Sequence, residues 1–250
     1  MKKIIVPLIT AFMVSIPMGL SADNSHWSYN NKTAPTYSTN LSNYNSLCQS
    51  GKNQSPINID TKRAVSANKR GLKFNYGRLD PKHIFNTGKQ LQLNVAQGAN
   101  IKVDGIEFEL KHLSFHTPSE NTYNKQHFPM EIQFIHQSKD HQLAIVSLMV
   151  TWGKSSRTLV KLQQQLPMNT GESKQLTTNA LRNLERKQKV ANYYRYNGSL
   201  TTPPCTEGVR WFIMNQPLKI SKQHYQSFKQ AIKHNKNRPI QELNARLILK

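Results

Sequence analysis

Between Lys111 and His136 the chain carries side chains suited to metal binding and proton transfer, at the spacing of paired strands: Ser114 and His116, then Glu120, Glu131 and Gln133. Residues two apart in a strand share a face about 6.6 Å apart, so Ser114 and His116 point the same way. Gln133 is placed to join them from a neighbouring strand. A zinc centre that activates water uses three protein ligands, often imidazoles, and keeps a fourth position open. Of these three positions only His116 is an imidazole. A hydroxyl and a carboxamide are weak donors to zinc beside imidazole, so the stretch reads as a metal-binding strand pair lacking two of its ligands. A serine nucleophile paired with His116 is a weaker reading, because sharing a strand face is not a hydrogen bond and no third, orienting group is apparent.

The other histidines do not rebuild the set. His112 shares the face of His116, but four residues of extended chain separate them by about 13 Å. His136 has the opposite parity to Gln133 and is expected to face away. His83, His127 and His141 lie in or beside turns, where a solvated ring is the simpler expectation.

The elements that must position these residues are mostly short strands. Leu91, Leu93 and Val95 alternate with polar residues, the pattern of a half-buried strand. Ile101 to Val103 and Ile106 to Leu110 flank Asp104-Gly105, a strong two-residue hairpin signal. Met130 to His136 and Gln142 to Thr151 form a further pair around Ser138-Lys139-Asp140. These read as antiparallel pairings, with no doubly wound β-α-β rhythm. Helices are few: one over Arg157 to Leu166 with Leu159, Leu162 and Leu166 on one face, and one capped by Ser221 with Tyr225, Phe228 and Ile232 inward.

At 250 residues the chain is long enough to bury a sizeable core, and it reads as one domain after a leader. Met1-Lys2-Lys3, the apolar run Ile4 to Leu20 and the small residues Ser21 and Ala22 have the layout of a secretory signal peptide over residues 1–22, leaving a domain over 23–250. Pro7 and Pro17 interrupt a run shorter than the roughly 20 residues needed to span a bilayer. No later run is long enough, and the absence of cysteine from the leader argues against a lipid anchor. The expected location is the periplasm or the medium.

Two cysteines, Cys48 and Cys205, fit export, where thiols pair more often than they stay free; two buried unpaired thiols are the alternative. Charge is the other strong bound. Lys plus Arg number 34 against 13 Asp plus Glu, a net charge of +21, two units lower once Lys2 and Lys3 leave with the leader. Such an excess draws polyanions, whether acidic glycan, lipopolysaccharide or extracellular nucleic acid.

Four local sequences, in this order and spacing, resemble the alpha class of carbonic anhydrases in its bacterial exported form. They are Ser25-His26-Trp27-Ser28-Tyr29, Gln54-Ser55-Pro56-Ile57-Asn58-Ile59, Phe115-His116-Thr117-Pro118-Ser119-Glu120 and the run Tyr196-Asn197-Gly198-Ser199-Leu200-Thr201-Thr202-Pro203-Pro204-Cys205. The resemblance implies a mostly β fold: a large, mostly antiparallel central sheet with a few peripheral helices. It also implies a Cys48–Cys205 disulfide.

Carried across residue by residue, the family's three zinc histidines fall on Ser114, His116 and Gln133, so a degenerate zinc site is expected. Thr201 takes the place of the hydroxyl that orients zinc hydroxide, Glu120 that of its carboxylate partner, and Glu131 that of the acid behind the third ligand. Without the imidazoles these are vestigial, polar groups that satisfy one another, with Ser114 and Gln133 joining the hydrogen bonds. The proton-shuttle position falls on Lys89, whose ordinary pKa of about 10.4 is unsuited to relay at neutral pH. The apolar wall for carbon dioxide maps to Ile135, Ile145, Leu200 and Trp211, and Thr202 completes the cleft.

Two functions follow as expectations. In one, the protein is a carbonic-anhydrase-related binding module that holds no cofactor and uses its basic surface on polyanions. In the other it is an active carbonic anhydrase, hydrating carbon dioxide with zinc in an unusual site.

Overall fold

The computed structural model describes residues 46–67, 71–77, 79–177, 181, 192–232 and 237–250. The expected leader and the Ser25–Tyr29 motif lie outside them. In chain order the elements are α1 (Ser46–Ser50), β1 (Asn58–Ile59), β2 (Lys73–Asn75), β3 (Pro81–Asn86), β4 (Leu91–Val95), β5 (Asn100–Val103) and β6 (Ile106–His116). They continue as β7 (Thr122–Tyr123), β8 (Gln126–His127), β9 (Met130–Gln137), β10 (Leu143–Trp152), α2 (Arg157–Gln163), β11 (Ser173–Gln175), β12 (Tyr193–Ser199), β13 (Glu207–Ile220) and α3 (Lys222–Ala231).

One large sheet runs β11-β3-β4-β6-β9-β10-β13-β12, with β2 and β5 paired beside β6. The expected mostly antiparallel sheet is present, with one departure next to the edge strand β12: β10 pairs with β13 in parallel. Antiparallel neighbours come from hairpins that leave local turn signals, whereas this pair is joined by a long crossover that leaves none. Pro217, which has no N–H to give a ladder, falls inside the register shift where Val150 meets Leu218.

Local chemistry explains the hairpins. Val103 pairs with Ile106 across Asp104-Gly105, both at positive φ, 51° and 83°, as a tight two-residue turn of the right twist requires. The first long helix ends earlier than periodicity alone suggests, at Gln163 instead of Leu166. Leu166 precedes Pro167, whose ring disfavours helical geometry in the residue before it, yet Leu166 remains buried. Ser156 and Ser221 cap α2 and α3 by accepting from the N–H groups of Leu159 and His224.

Strand alternation divides the core into two. On one face Leu113, Phe115, Ile132, Phe134, Val146, Leu148, Phe212 and Met214 pack with Leu159, Leu162 and Phe228 of the helices. On the other, Ile145, Met149, Tyr196, Trp211 and Ile213 form a second cluster. The cleft lies on this second side. No helix among the described residues is long and apolar enough to cross a membrane.

The Cys48–Cys205 disulfide is present, with Cα atoms 5.1 Å apart and a sequence separation of 157. Around it the sequence motifs hold one another. Buried Arg238 donates to Gln54 Oε1, the Ser55 carbonyl and the Cys48 carbonyl at 2.8, 2.8 and 2.9 Å. Gln54 Nε2 donates to the Cys205 carbonyl at 3.1 Å, and Ser55 N–H to Ser199 Oγ at 2.9 Å. A Cβ at Gly198 would fall 2.2 Å from Ser55 Oγ, so only glycine admits this approach.

His136 faces away from the cleft, as its parity predicts. It is fully buried; Tyr76 Oη lies 2.8 Å from Nε2 and the Ala144 carbonyl 3.3 Å from Nδ1. Burial lowers its pKa from 6.5 to about 3, and lowers that of His112 to about 4. Both groups are depressed in the folded state, so their contribution is complete above pH 6.5 and is lost as the pH falls towards their folded values. Urea midpoints should therefore fall steadily below pH 6.5. His136→Gln, which cannot titrate, should remove about one proton's share of that slope, about 1.4 kcal/mol per pH unit, even if the variant is less stable overall. Opening the disulfide by Cys205→Ser should lower unfolding stability by about 2 to 5 kcal/mol in the same assay.

Candidate active site

Register builds the cleft floor. Ser114 pairs with Gln133 and His116 with Glu131 between β6 and β9, and Gln133 pairs with Ser147 across to β10. Cross-strand partners share a face, so Ser114, His116, Glu131, Gln133 and Ser147 project together on the side away from the helices. All five are buried. His112 lies on the same face and is half-buried, one pair further along.

Two buried carboxylates organise this floor. Glu131 Oε2 accepts from the N–H groups of Glu120 and Asn121 at 2.8 and 3.0 Å, and its Oε1 accepts from Asn121 Nδ2 at 2.9 Å and Ser147 Oγ at 2.7 Å. Glu120 Oε2 accepts from Thr201 Oγ1 at 2.8 Å and from Gln133 Nε2 at 2.8 Å. Gln133 Nε2 also reaches Glu131 Oε1 at 3.3 Å. Only the NH₂ end of that carboxamide can face two carboxylates without opposing lone pairs, and this sets its orientation.

The Thr201–Glu120 contact inferred from the motifs is therefore formed, and Gln133 joins it as expected. Ser114 does not: none of the hydrogen bonds to Glu120 or Glu131 among the described residues comes from it. Its short hydroxyl stands at the same register position but on the neighbouring strand, where the longer Gln133 already occupies the carboxylates.

His116 is 3% exposed, and neither ring nitrogen has a hydrogen-bond partner. Nδ1 stands 3.6 Å from Glu120 Oε1, beyond hydrogen-bonding range. A buried imidazole without partners is suited to a ligand that the cleft would supply.

The rest of the expected lining is also on this side. Ile145 and Trp211 belong to the second core cluster, and Ile135 and Leu200 pack against it. Trp211 Nε1 donates to the Ser199 carbonyl at 3.0 Å, which fixes the start of the Thr201 loop. Thr202 is half-buried, and its carbonyl accepts from the Cys205 N–H at 2.9 Å. Lys89 sits in the turn between β3 and β4, where partial burial lowers its pKa from the ordinary lysine value, towards and not away from a proton-relaying range. His83 lies exposed on β3, His127 has Nδ1 2.7 Å from the Ser119 carbonyl, and His141 occupies a turn at φ 60°.

Sequence reasoning missed Asn121 and Ser147, which together supply three of the donors to Glu131. Ser147 left a signal: it is the one polar residue in the apolar stretch Leu143 to Val150, at the parity of the cleft face. Asn121 left none, because its role depends on the chain reversal after Glu120.

The donor set does not fit a tetrahedral zinc ion. It offers one imidazole, one hydroxyl and a glutamine whose amide nitrogen is held by carboxylates. Among the described residues no group of three His, Cys, Asp or Glu stands together to hold a metal. Glu131 is instead a structural anchor. Glu131→Gln should turn an NH₂ towards existing donors and lower unfolding stability by about 3 kcal/mol, measured by urea denaturation.

Comparison with known proteins places the chain. Residues 37–250 match the family described as eukaryotic-type carbonic anhydrase. A carbonic anhydrase of Pectobacterium carotovorum is 36% identical over 243 residues, covering 97% of this chain and 98% of the relative. An alpha-carbonic anhydrase of Photobacterium profundum is 36% identical with a TM-score of 0.81, over 90% of this chain and 100% of that one. A dioscorin solved in complex with ascorbate is 29% identical with a TM-score of 0.78, over 90% and 97% of the two chains.

Proposed function

The chain belongs to the eukaryotic-type, or alpha, carbonic anhydrase family, and from that premise we propose that it is a carbonic-anhydrase-related protein without zinc-dependent hydratase activity. It serves as an exported, basic binding module for polyanions, at the cell envelope or outside the cell. One observation carries the first part. Gln133, at the family's third ligand position, gives its amide to Glu120 and Glu131, so the acids behind the site are satisfied by the protein's own side chains. The net charge, +21 for the whole sequence and two units lower without Lys2 and Lys3, supports the second part, since it attracts any polyanion the protein meets.

In active members zinc lowers the pKa of bound water far below that of bulk water, to about 7, and so supplies hydroxide at neutral pH. Of the three ligand positions here, only that of His116 carries an imidazole. What remains suited to binding is an unsatisfied, buried imidazole beside a serine hydroxyl and an apolar wall. Ascorbate in the related dioscorin supports small organic ligands as occupants of this fold.

The second reading is an active enzyme with unusual metal ligation. The 2.8 Å Thr201–Glu120 hydrogen bond and the apolar wall of Ile135, Ile145, Leu200 and Trp211 favour it.

Metal analysis and carbon dioxide hydration assays on the purified protein separate the two. We expect zinc far below one ion per chain and no hydration above buffer. Stoichiometric zinc, with hydration abolished by chelation, establishes the second reading instead. The double substitution Ser114→His with Gln133→His should raise zinc affinity by at least ~100-fold, as read by competition with a chromogenic chelator.

A further inference from the structure

The fold joins two acid-free stretches that lie far apart in the sequence. No Asp or Glu occurs between Asp140 and Glu172, and none between Glu207 and Glu242. The first stretch contributes α2 and the second α3, and the two helices pack together. Ser227 Oγ lies 2.8 Å from Gln163 Oε1 across the pair. Where the helices begin, the Ser221 N–H donates to Ser155 Oγ at 2.8 Å and the Ser156 N–H to the Lys219 carbonyl at 2.9 Å. A Cβ at Gly153 would fall 2.8 Å from Lys219 Cδ, so the lysine stem lies across the turn that leads into α2.

The surface of this helix pair presents Lys154, Arg157, Lys161, Lys219, Lys222 and Lys229, all exposed. None of the six forms an ion pair among the described residues. On α3, Lys222, Tyr225 and Lys229 are spaced along one side while Phe228 and Ala231 are buried. Trp152, at the end of β10, is 46% exposed and meets Tyr225 edge to face, with ring centroids 5.1 Å apart. It is the only aromatic among the large exposed hydrophobics of the described residues.

Clustered cations without counter-charges repel one another, and a polyanion that displaces their counterions relieves that repulsion. An exposed indole beside them adds a flat apolar surface with a polar edge, suited to a partner that is apolar on one face and hydrated elsewhere. A sugar ring has that character. Single-stranded nucleic acid is bound on successive aromatic platforms, and arginine, with its planar fork, is the cation favoured in nucleic-acid recognition. This surface has one exposed indole and a single arginine among five lysines.

We propose that the α2–α3 surface docks an acidic polysaccharide, its lysines meeting carboxylates or sulfates and Trp152 lying against a sugar face. The proposal deepens the polyanion reading above and rests on it.

Binding of a size-defined heparin oligosaccharide tests it, with affinity measured at several salt concentrations from about 50 to 200 mM. One variant carries Lys154→Gln, Arg157→Gln, Lys222→Gln and Lys229→Gln. A control of equal net charge carries Lys62→Gln, Lys73→Gln, Lys102→Gln and Lys139→Gln, at exposed positions elsewhere. The helix-pair variant should bind at least ~10-fold more weakly with a shallower salt dependence, and the control should stay within ~2-fold of the parent. Trp152→Ala should weaken binding without changing the salt slope, and unchanged affinity would remove the indole from the proposal. Equal weakening in both lysine variants would overturn this surface while leaving the polyanion reading intact. If the parent binds neither heparin nor an oligothymidylate of matched charge, both fail together. Tighter binding of the oligothymidylate, lost in the helix-pair variant, would overturn the glycan in favour of nucleic acid.

Discussion

Burying Glu120 and Glu131 side by side beneath the cleft is the constraint around which the rest of the site is arranged. An ionised carboxylate taken out of water needs either a cation or a full set of hydrogen-bond donors. No lysine or arginine pairs with either among the described residues, so donors carry the burden. The chain reversal after Glu120 turns two backbone N–H groups and the Asn121 amide onto Glu131, and Ser147 rises to it from β10. Thr201 and Gln133 both donate to Oε2 of Glu120, whose Oε1 lies 3.6 Å from His116 Nδ1. A family that places a histidine at the position of Gln133 has an imidazole to orient there; this chain places a group that the acids themselves can hold. The hydrogen bonds of the floor thereby close among the protein's own groups, while neither ring nitrogen of the neighbouring, buried His116 has a hydrogen-bond partner.

The same logic extends to the scaffold. The Thr201 loop follows Ser199, which is tied to Ser55 and to Trp211, and the Gln54-Ser55 segment is held by Arg238 and by the carbonyl of Cys205. The disulfide covalently fastens this junction. Segments that look in sequence like separate motifs are therefore one hydrogen-bonded unit. Its retention is accounted for by the cost of leaving buried polar groups unsatisfied, whether or not any chemistry takes place above it. The Thr201 loop is thus evidence of fold, and the cleft residues must be judged on their own chemistry.

Much of the architecture was legible because its signals are local. Asp104-Gly105 announces a tight hairpin, the alternation in β4 sorts its faces, and Ser156 and Ser221 mark helix starts. The parity of His136 against Gln133 predicted that it faces away; the structure adds that it is buried there against Tyr76. The parallel pairing of β10 with β13 was not legible, since strands more than fifty residues apart carry no turn that links them. Nor was the role of Asn121, or the failure of Ser114 to join the carboxylates. Both depend on how far a side chain reaches once its neighbours are in place.

The sequence by itself determined which functional groups stand at the three ligand positions, that they share a face, and that the chain is strongly basic. Side-chain type and strand parity are properties of the chain alone. Only the tertiary structure decided that Gln133 spends its amide on Glu120 and Glu131, that His116 remains without a partner, and that two acid-free stretches converge on α2 and α3. Those outcomes follow from long-range register and helix packing, which select among the partners that local chemistry allows.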